Sequence, residues 1–202
     1  MDGQAVIAAG RAATLRELKD EVARLREENS RLRAQSESLA AHFAEALLAA
    51  RDMSALAPGG TFYVVDGWNL VLGDSRRSGG GPLGTPPSPL GERLAAWLER
   101  RNSGGGAWQS HSPSSLLAEV AAFLDANARD FAWVVFDGPR GNSRLDGRLR
   151  VSYTGGEGSQ RADRLILDYI RHARLAASAA SLVLVSRDKD LLAAAKKLLR
   201  NR

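Results

Sequence analysis

The sequence predicts an α/β domain with a parallel sheet, preceded by a long N-terminal helix. Short apolar runs (FYVV, WVVF and LVLV) alternate with segments of helical periodicity. This alternation is typical of βαβ units with right-handed crossovers, in which helices cover both faces of the sheet. A third observation predicts the N-terminal helix: before residue 57 the apolar residues recur at steps of three and four.

The first element is this helix, predicted over residues 1–56. Its stripe follows a heptad with Asn at one a position, and comprises Leu15, Leu18, Val22, Leu25, Asn29, Leu32, Ser36, Leu39 and Phe43. Glu21 and Glu28 fall at g, and Arg26 and Arg33 at the following e, which favours a parallel coiled coil. We therefore predict a homodimer through this helix. The alternative is a single helix that packs on its own domain through the same stripe.

The remaining elements belong to a domain predicted over residues 61–202, after a boundary at Pro58, Gly59 and Gly60. In chain order they are the strand TFYVVD, helices over 89–101 and 114–129, the strands AWVVFD and LRVSYT, a helix from Ala162, the strand SLVLVS and a helix over 189–200. Gly/Pro-rich stretches flank the first of these helices and predict an insertion at about 73–115.

Composition excludes several classes of protein. The chain has no cysteine and only three histidines, which removes disulfide frameworks, cysteine nucleophiles and thiolate zinc sites. It has no apolar run of about 18 residues and no basic residue ahead of its first apolar patch, so neither a membrane span nor a signal peptide is expected. We predict a cytoplasmic protein that does not bind membranes.

Four aspartates occupy positions suited to a metal centre. Asp66, Asp137 and Asp188 each follow an apolar strand, and Asp163 begins a helix. The carboxyl ends of parallel strands converge on one crevice, where such a carboxylate set suits Mg²⁺ or Mn²⁺. The chain offers additional polar groups nearby in Asp190, Asn69 and Ser186. Any single aspartate could instead cap a helix or start a turn.

Basic residues cluster near these aspartates in a chain whose net charge is +5. The cluster comprises Arg140, Arg144, Arg148 and Arg150, joined by Arg161 and Arg164. Guanidinium groups in such a patch favour the phosphates of RNA and give affinity without sequence choice. A solvated arginine-rich loop is the alternative interpretation.

Four segments, FYVVDGWNLV, WVVFDG, VSYTGGEGSQRAD and LVLVSRDKDL, resemble in order and spacing the motifs of the NYN subgroup of PIN-like nucleases, especially the YacP-like ribonucleases. The resemblance covers about residues 61–202 and implies a PIN-like three-layer fold with metal-dependent endoribonuclease activity. In some members the RNA is a ribosome-engaged message. The family's metal-binding aspartates correspond to Asp66, Asp163 and Asp188, and Asp137 matches the aspartate after its second strand. SRDKDL is also similar to the GDKDLL segment of flap endonucleases, which implies Asp190 as a further ligand.

Three other functions stay open at this stage. A PIN-like domain without turnover would be an RNA-binding or adaptor protein dimerised by its coiled coil. Alternatively, the coiled coil would recruit a partner while the globular part serves as a scaffold. A DNA structure-specific nuclease is the least favoured of the three, because little chain follows the last predicted helix for extra DNA-binding elements.

Overall fold

The computed structural model describes residues 3–54, 59–72, 84, 86–103, 112–155, 160–173 and 181–200. The helices within these ranges are α1 (Gly3–Ser54), α2 (Gly67–Leu72), α3 (Pro89–Ser103), α4 (Pro113–Ala126), α5 (Arg161–Ala173) and α6 (Lys189–Arg200). The strands are β1 (Thr61–Asp66), β2 (Phe131–Phe136), β3 (Gly141–Asp146), β4 (Leu149–Thr154) and β5 (Ser181–Val185). Most of the predicted insertion at 73–115, apart from α3 and its immediate neighbours, lies outside the described residues.

The five strands form one sheet in the order β3-β4-β2-β1-β5. β1 pairs in parallel with both β2 and β5, and β2 pairs in parallel with β4. β3 pairs antiparallel with β4 at one edge. The predicted α/β class is confirmed, and the predicted parallel sheet is found except at the edge strand β3, which is antiparallel.

Helices cover both faces of this sheet, as crossover connections require. On one face, α2, α3 and α4 pack over residues such as Val65 and Val134. On the other, α5 and α6 pack over Phe62 and Trp133 together with Ala46 and Ala49 of α1. β1, β2 and β5 contribute to both clusters because their side chains alternate between the faces, whereas β4 contributes Leu149 and Val151 to the first cluster.

α1 contributes to two compact units, Met1–Ala41 and His42–Arg202. Within the second unit, the last turns of α1 pack on the sheet domain and bury Ala46, Ala49 and Asp52. The predicted helix at the N-terminus is thus present, and its final turns are part of the globular domain. No helix in the described ranges is long and apolar enough to cross a bilayer.

Two elements were not predicted from the sequence. β3 consists of the polar segment GNSRLD, and all its residues except the half-buried Ser143 are exposed. An edge strand of this kind has no apolar alternation to indicate it. α2 follows β1 directly and has only six residues, too few to show a helical period.

α4 begins earlier than predicted because Ser112 caps it and Pro113 occupies its first turn.

Gly67 is required where β1 passes into α2. A Cβ atom at this position would lie 2.3 Å from the ring of Phe136, a fully buried side chain of β2. We expect Gly67→Ala to lower the free energy of unfolding by about 2 kcal/mol or more, since an overpacked core must shift. Gly147→Asn is the matched control, because Gly147 has φ +57° with open space around it and asparagine tolerates that conformation. Equal urea midpoints for the two variants would contradict this account.

Candidate active site

The candidate site lies at the carboxyl edge of the sheet, on the face covered by α5 and α6. Phe62 and Val64 of β1 point into the core on that face, so Asp66, two residues further on, lies on the same side. Trp133 and Val135 of β2 also point into this core, so the same alternation places Asp137 on this face. Thr154 of β4 and Ser186 after β5 fall on this face by the same count, next to the first turns of α5 and α6.

Asp66 is the most buried of the candidate carboxylates, with 5% of its surface exposed. The hydroxyl of Ser186 donates to its Oδ2 at 2.8 Å, and the backbone N–H of Asn69 donates to its Oδ1 at 3.4 Å. The pKa of Asp66 is raised to about 7, chiefly by burial and also by the charges of Asp163 and Asp188, against the lowering effect of the two hydrogen bonds. The protein therefore holds this carboxyl group against a cost in solvation and in charge repulsion.

Asp163 lies in the first turn of α5 and belongs to the same electrostatic cluster. Its pKa is raised by burial and then by the charges of Asp188 and Asp137. Repulsion between carboxylates raises pKa values when the groups lie close together. The fold thus brings into one cluster the four aspartates that the sequence places at separate strand and helix ends.

Asp137 holds the start of α5. Its Oδ1 accepts hydrogen bonds from the backbone N–H of Ala162 at 2.7 Å and from the hydroxyl of Thr154 at 3.1 Å. The indole N–H of Trp68 donates to the backbone oxygen of Asp137. These contacts position the turn that carries Asp163. The role of Thr154 was missed from the sequence, although it ends a predicted strand as the aspartates do.

Asp188 caps α6. Its Oδ1 accepts from the backbone N–H groups of Asp190 at 2.8 Å and Leu191 at 3.0 Å, and its own N–H donates to Ser186 at 3.0 Å. The capping interpretation considered for single aspartates thus applies to Asp188. Because these bonds use Oδ1, they do not commit Oδ2 of Asp188. A cap and a ligand are therefore compatible roles for this residue.

Asn69 and Ser186 support the site by joining its segments. The Oδ1 atom of Asn69 accepts from the backbone N–H of Arg187 at 2.8 Å, which ties α2 to the loop after β5. Ser186 is fully buried and lies between Asp66 and the backbone of Asp188. Ser186 therefore orients the Asp66 carboxylate directly, and the side chain of Asn69 holds the loop that leads to Asp188.

The chemistry of the cluster fits a hard divalent cation. Its donors are carboxylate oxygens, which Mg²⁺ and Mn²⁺ prefer, and a cation would offset the repulsion that raises the pKa values of Asp66 and Asp163. The described side chains nevertheless contain no group of three or more Asp, Glu, His or Cys arranged to hold a metal ion. Asp190 is exposed. Binding would thus require carboxylate rotamers to turn toward a common point.

The predicted RNA-binding arginines divide into a group at the surface and a group that makes contacts within the domain. Arg140, Arg144 and Arg164 are exposed, and Arg161 is half-buried at the start of α5. Arg148 donates to the backbone oxygens of Asn127 and Asp130, at 2.8 and 3.1 Å.

Arg150 has a different role from the predicted one. It is 3% exposed, and its guanidinium forms an ion pair with the buried Asp52 of α1. The prediction that Arg150 contacts RNA is wrong, since the domain's own helix covers it.

Comparison of the chain with protein-family models, with curated proteins and with solved structures found no match. Inferences about function therefore depend on the residues of the site and on their geometry.

Proposed function

We propose that the protein is a metal-dependent endoribonuclease of the PIN-like type, similar to the NYN and YacP-like ribonucleases. The observation that carries this proposal is the electrostatic cluster formed by four aspartates from separate strand ends and helix starts. Structural carboxylates are ordinarily paired with cations, whereas clustered carboxylates with raised pKa values are typical of functional sites. The absence of cysteine and the four motifs agree with a cytoplasmic RNA nuclease.

Asp66, Asp163 and Asp188 would hold Mg²⁺ or Mn²⁺, with Asp190 as a further carboxylate beside them. The bound ion would supply an activated water and charge stabilisation at the phosphodiester. Asp137 keeps the first turn of α5 in place through Ala162, and Ser186 keeps the Asp66 carboxylate oriented. Asp137 and Asp163 supply negative charge, and a bound cation would offset the repulsion between these carboxylates.

RNA is the proposed substrate, with ribosome-associated mRNA among the candidates that the resemblance implies. Arg140, Arg144 and Arg164 are exposed and could hold the backbone phosphates, together with Arg161 at the start of α5. Phosphate contacts of this kind weaken as the salt concentration rises, because the counterions that binding releases from the RNA then gain less entropy. Binding is therefore expected to fall steeply with ionic strength and to depend little on base sequence.

The test is cleavage of an end-labelled single-stranded RNA in Mg²⁺, in Mn²⁺ and in EDTA. We expect internal cuts in either metal and none in EDTA. Asp188→Asn should lower the rate by roughly a hundredfold or more, since electrostatic groups at a reacting centre contribute on that scale. Asp168→Asn is the matched control, because Asp168 is a half-exposed residue of α5 that pairs with Arg171 at the surface.

A second candidate function is RNA binding without cleavage, as in an adaptor. The observation that favours it is that the described carboxylates are not arranged as a ligand group. RNA binding with no cuts under either metal would support this alternative and overturn the nuclease proposal. Equal loss of activity in Asp188→Asn and Asp168→Asn would remove the site assignment.

A further inference from the structure

α1 carries an exposed apolar stripe along residues 15–32. The side chains that form it are between 45% and 58% exposed, and they are Leu15, Leu18, Val22, Leu25 and Leu32. Single exposed leucines are common on protein surfaces, but a row repeated every three or four residues along one helix face is typical of an interface. A shallow depression on this face is lined by Leu18, Val22 and Arg26, among other residues.

The same helix face changes character where α1 joins the globular domain. Ala46 occupies the heptad position that holds Leu18, Leu25 and Leu32 in the earlier turns, and it is buried against the sheet domain. Alanine allows a helix backbone to approach a sheet closely, whereas leucines at this position suit the holes of a facing helix. The leucine pattern of residues 15–32 is therefore that of a helix that packs against another helix.

We propose that residues 15–32 of two copies of this chain form a parallel, in-register, two-stranded coiled coil. Val22 at an a position with leucines at the d positions favours two strands. Asn29 occupies the next a position and would lie opposite its counterpart in the second copy. Paired asparagines at a fix the register, which a heterotypic apolar partner would not require.

Charge complementarity also favours a second copy. In a parallel pair, Glu21 at g faces Arg26 at e of the second copy, and Glu28 faces Arg33. An antiparallel pair would place g opposite g and e opposite e, so that like charges would meet. Within one chain Glu21 contacts Arg24 at 2.6 Å, but both side chains are at least 48% exposed. A surface ion pair of this kind contributes little to stability and would not prevent Glu21 from pairing with Arg26 of the second copy.

The chain contains no cysteine, so a single introduced thiol can report the register. In full-length Asn29→Cys, the two thiols would face each other across the seam. We expect oxidation to convert nearly all of this variant to a disulfide-linked dimer. Glu27→Cys is the control, since position f faces away from the seam, and it should cross-link only slightly. Dimers by light scattering with equal cross-linking of both variants would overturn the parallel register.

A second experiment tests whether a second copy of the chain packs against the apolar stripe of α1. Leu25→Asp should raise the dissociation constant of the dimer by about a hundredfold or more, because two leucines leave the seam in each dimer. Residue 25 is exposed in the single chain, so thermal melting of the domain should not change. A wild-type monomer at the highest concentration reached would overturn the proposal. RNA cleavage is measured separately, so failure of the dimer and failure of the nuclease function are distinguishable.

Discussion

Asp66→Asn is expected to abolish RNA cleavage and to make the metal-free protein more stable at neutral pH. Asparagine keeps the size of the side chain and can still accept the hydrogen bond from Ser186. It removes a charge that is 5% exposed and repelled by Asp163 and Asp188. Cleavage should fall by roughly a thousandfold or more, since charge stabilisation by a metal contributes several kcal/mol. Loss of activity with a gain in stability is the pattern of a functional site.

The gain in stability should depend on pH in a defined direction. The pKa of Asp66 rises from 3.8 to about 7 on folding. Between these values the folded state binds more protons than the unfolded state, so the free energy of unfolding falls as pH increases. Asparagine does not titrate, and the advantage of the variant should therefore grow through this range and level off above it.

Urea denaturation in EDTA at several pH values measures this difference. Addition of Mg²⁺ or Mn²⁺ at neutral pH should then raise the melting temperature of the wild type and leave Asp66→Asn almost unchanged. A variant that cleaves RNA at the wild-type rate would remove Asp66 from the site. A stability difference between the two proteins that is independent of pH would show that the pKa of Asp66 is not raised on folding.

Asp52→Ala is expected to cause the second large effect, a loss of roughly 3 to 5 kcal/mol in the free energy of unfolding. Asp52 is 5% exposed and is the ion-pair partner of the buried Arg150. Its removal leaves a guanidinium inside the protein, where Glu45 approaches only to 3.6 Å. Of the polar contacts between the final turns of α1 and β4, those of Glu45 with Arg150 and Ser152 would remain, and these turns should pack less firmly on this strand.

Arg51→Ala provides the matched control. Arg51 contacts Oδ1 of the same Asp52 at 3.1 Å, but 66% of its side chain is exposed. A pair of this kind contributes at most about 1 kcal/mol. Chemical denaturation of both variants should separate them clearly, and a double variant with Arg150→Met should recover part of the loss. Similar midpoints for Asp52→Ala and Arg51→Ala would contradict the buried-pair account.

Elements whose own residues show a strong apolar or helical pattern can be predicted from the sequence. β1 and α6 occupy the predicted residues 61–66 and 189–200, because a β-branched apolar run and a strong helical period determine them. β3 was missed because its pairing with β4 depends on residues brought together by the hairpin, not on any apolar pattern of its own.

The α/β alternation, the heptad of α1 and the placement of four aspartates at strand ends and helix starts can all be predicted from the amino-acid sequence. Periodicity and chain order are sufficient for these features. The folded structure was needed to find that α1 buries Arg150, that Asp137 and Asp188 cap helices, and that the pKa of Asp66 rises to about 7. Burial, capping and charge repulsion depend on which distant segments meet, and residues 52 and 150, or 66 and 163, meet only after folding.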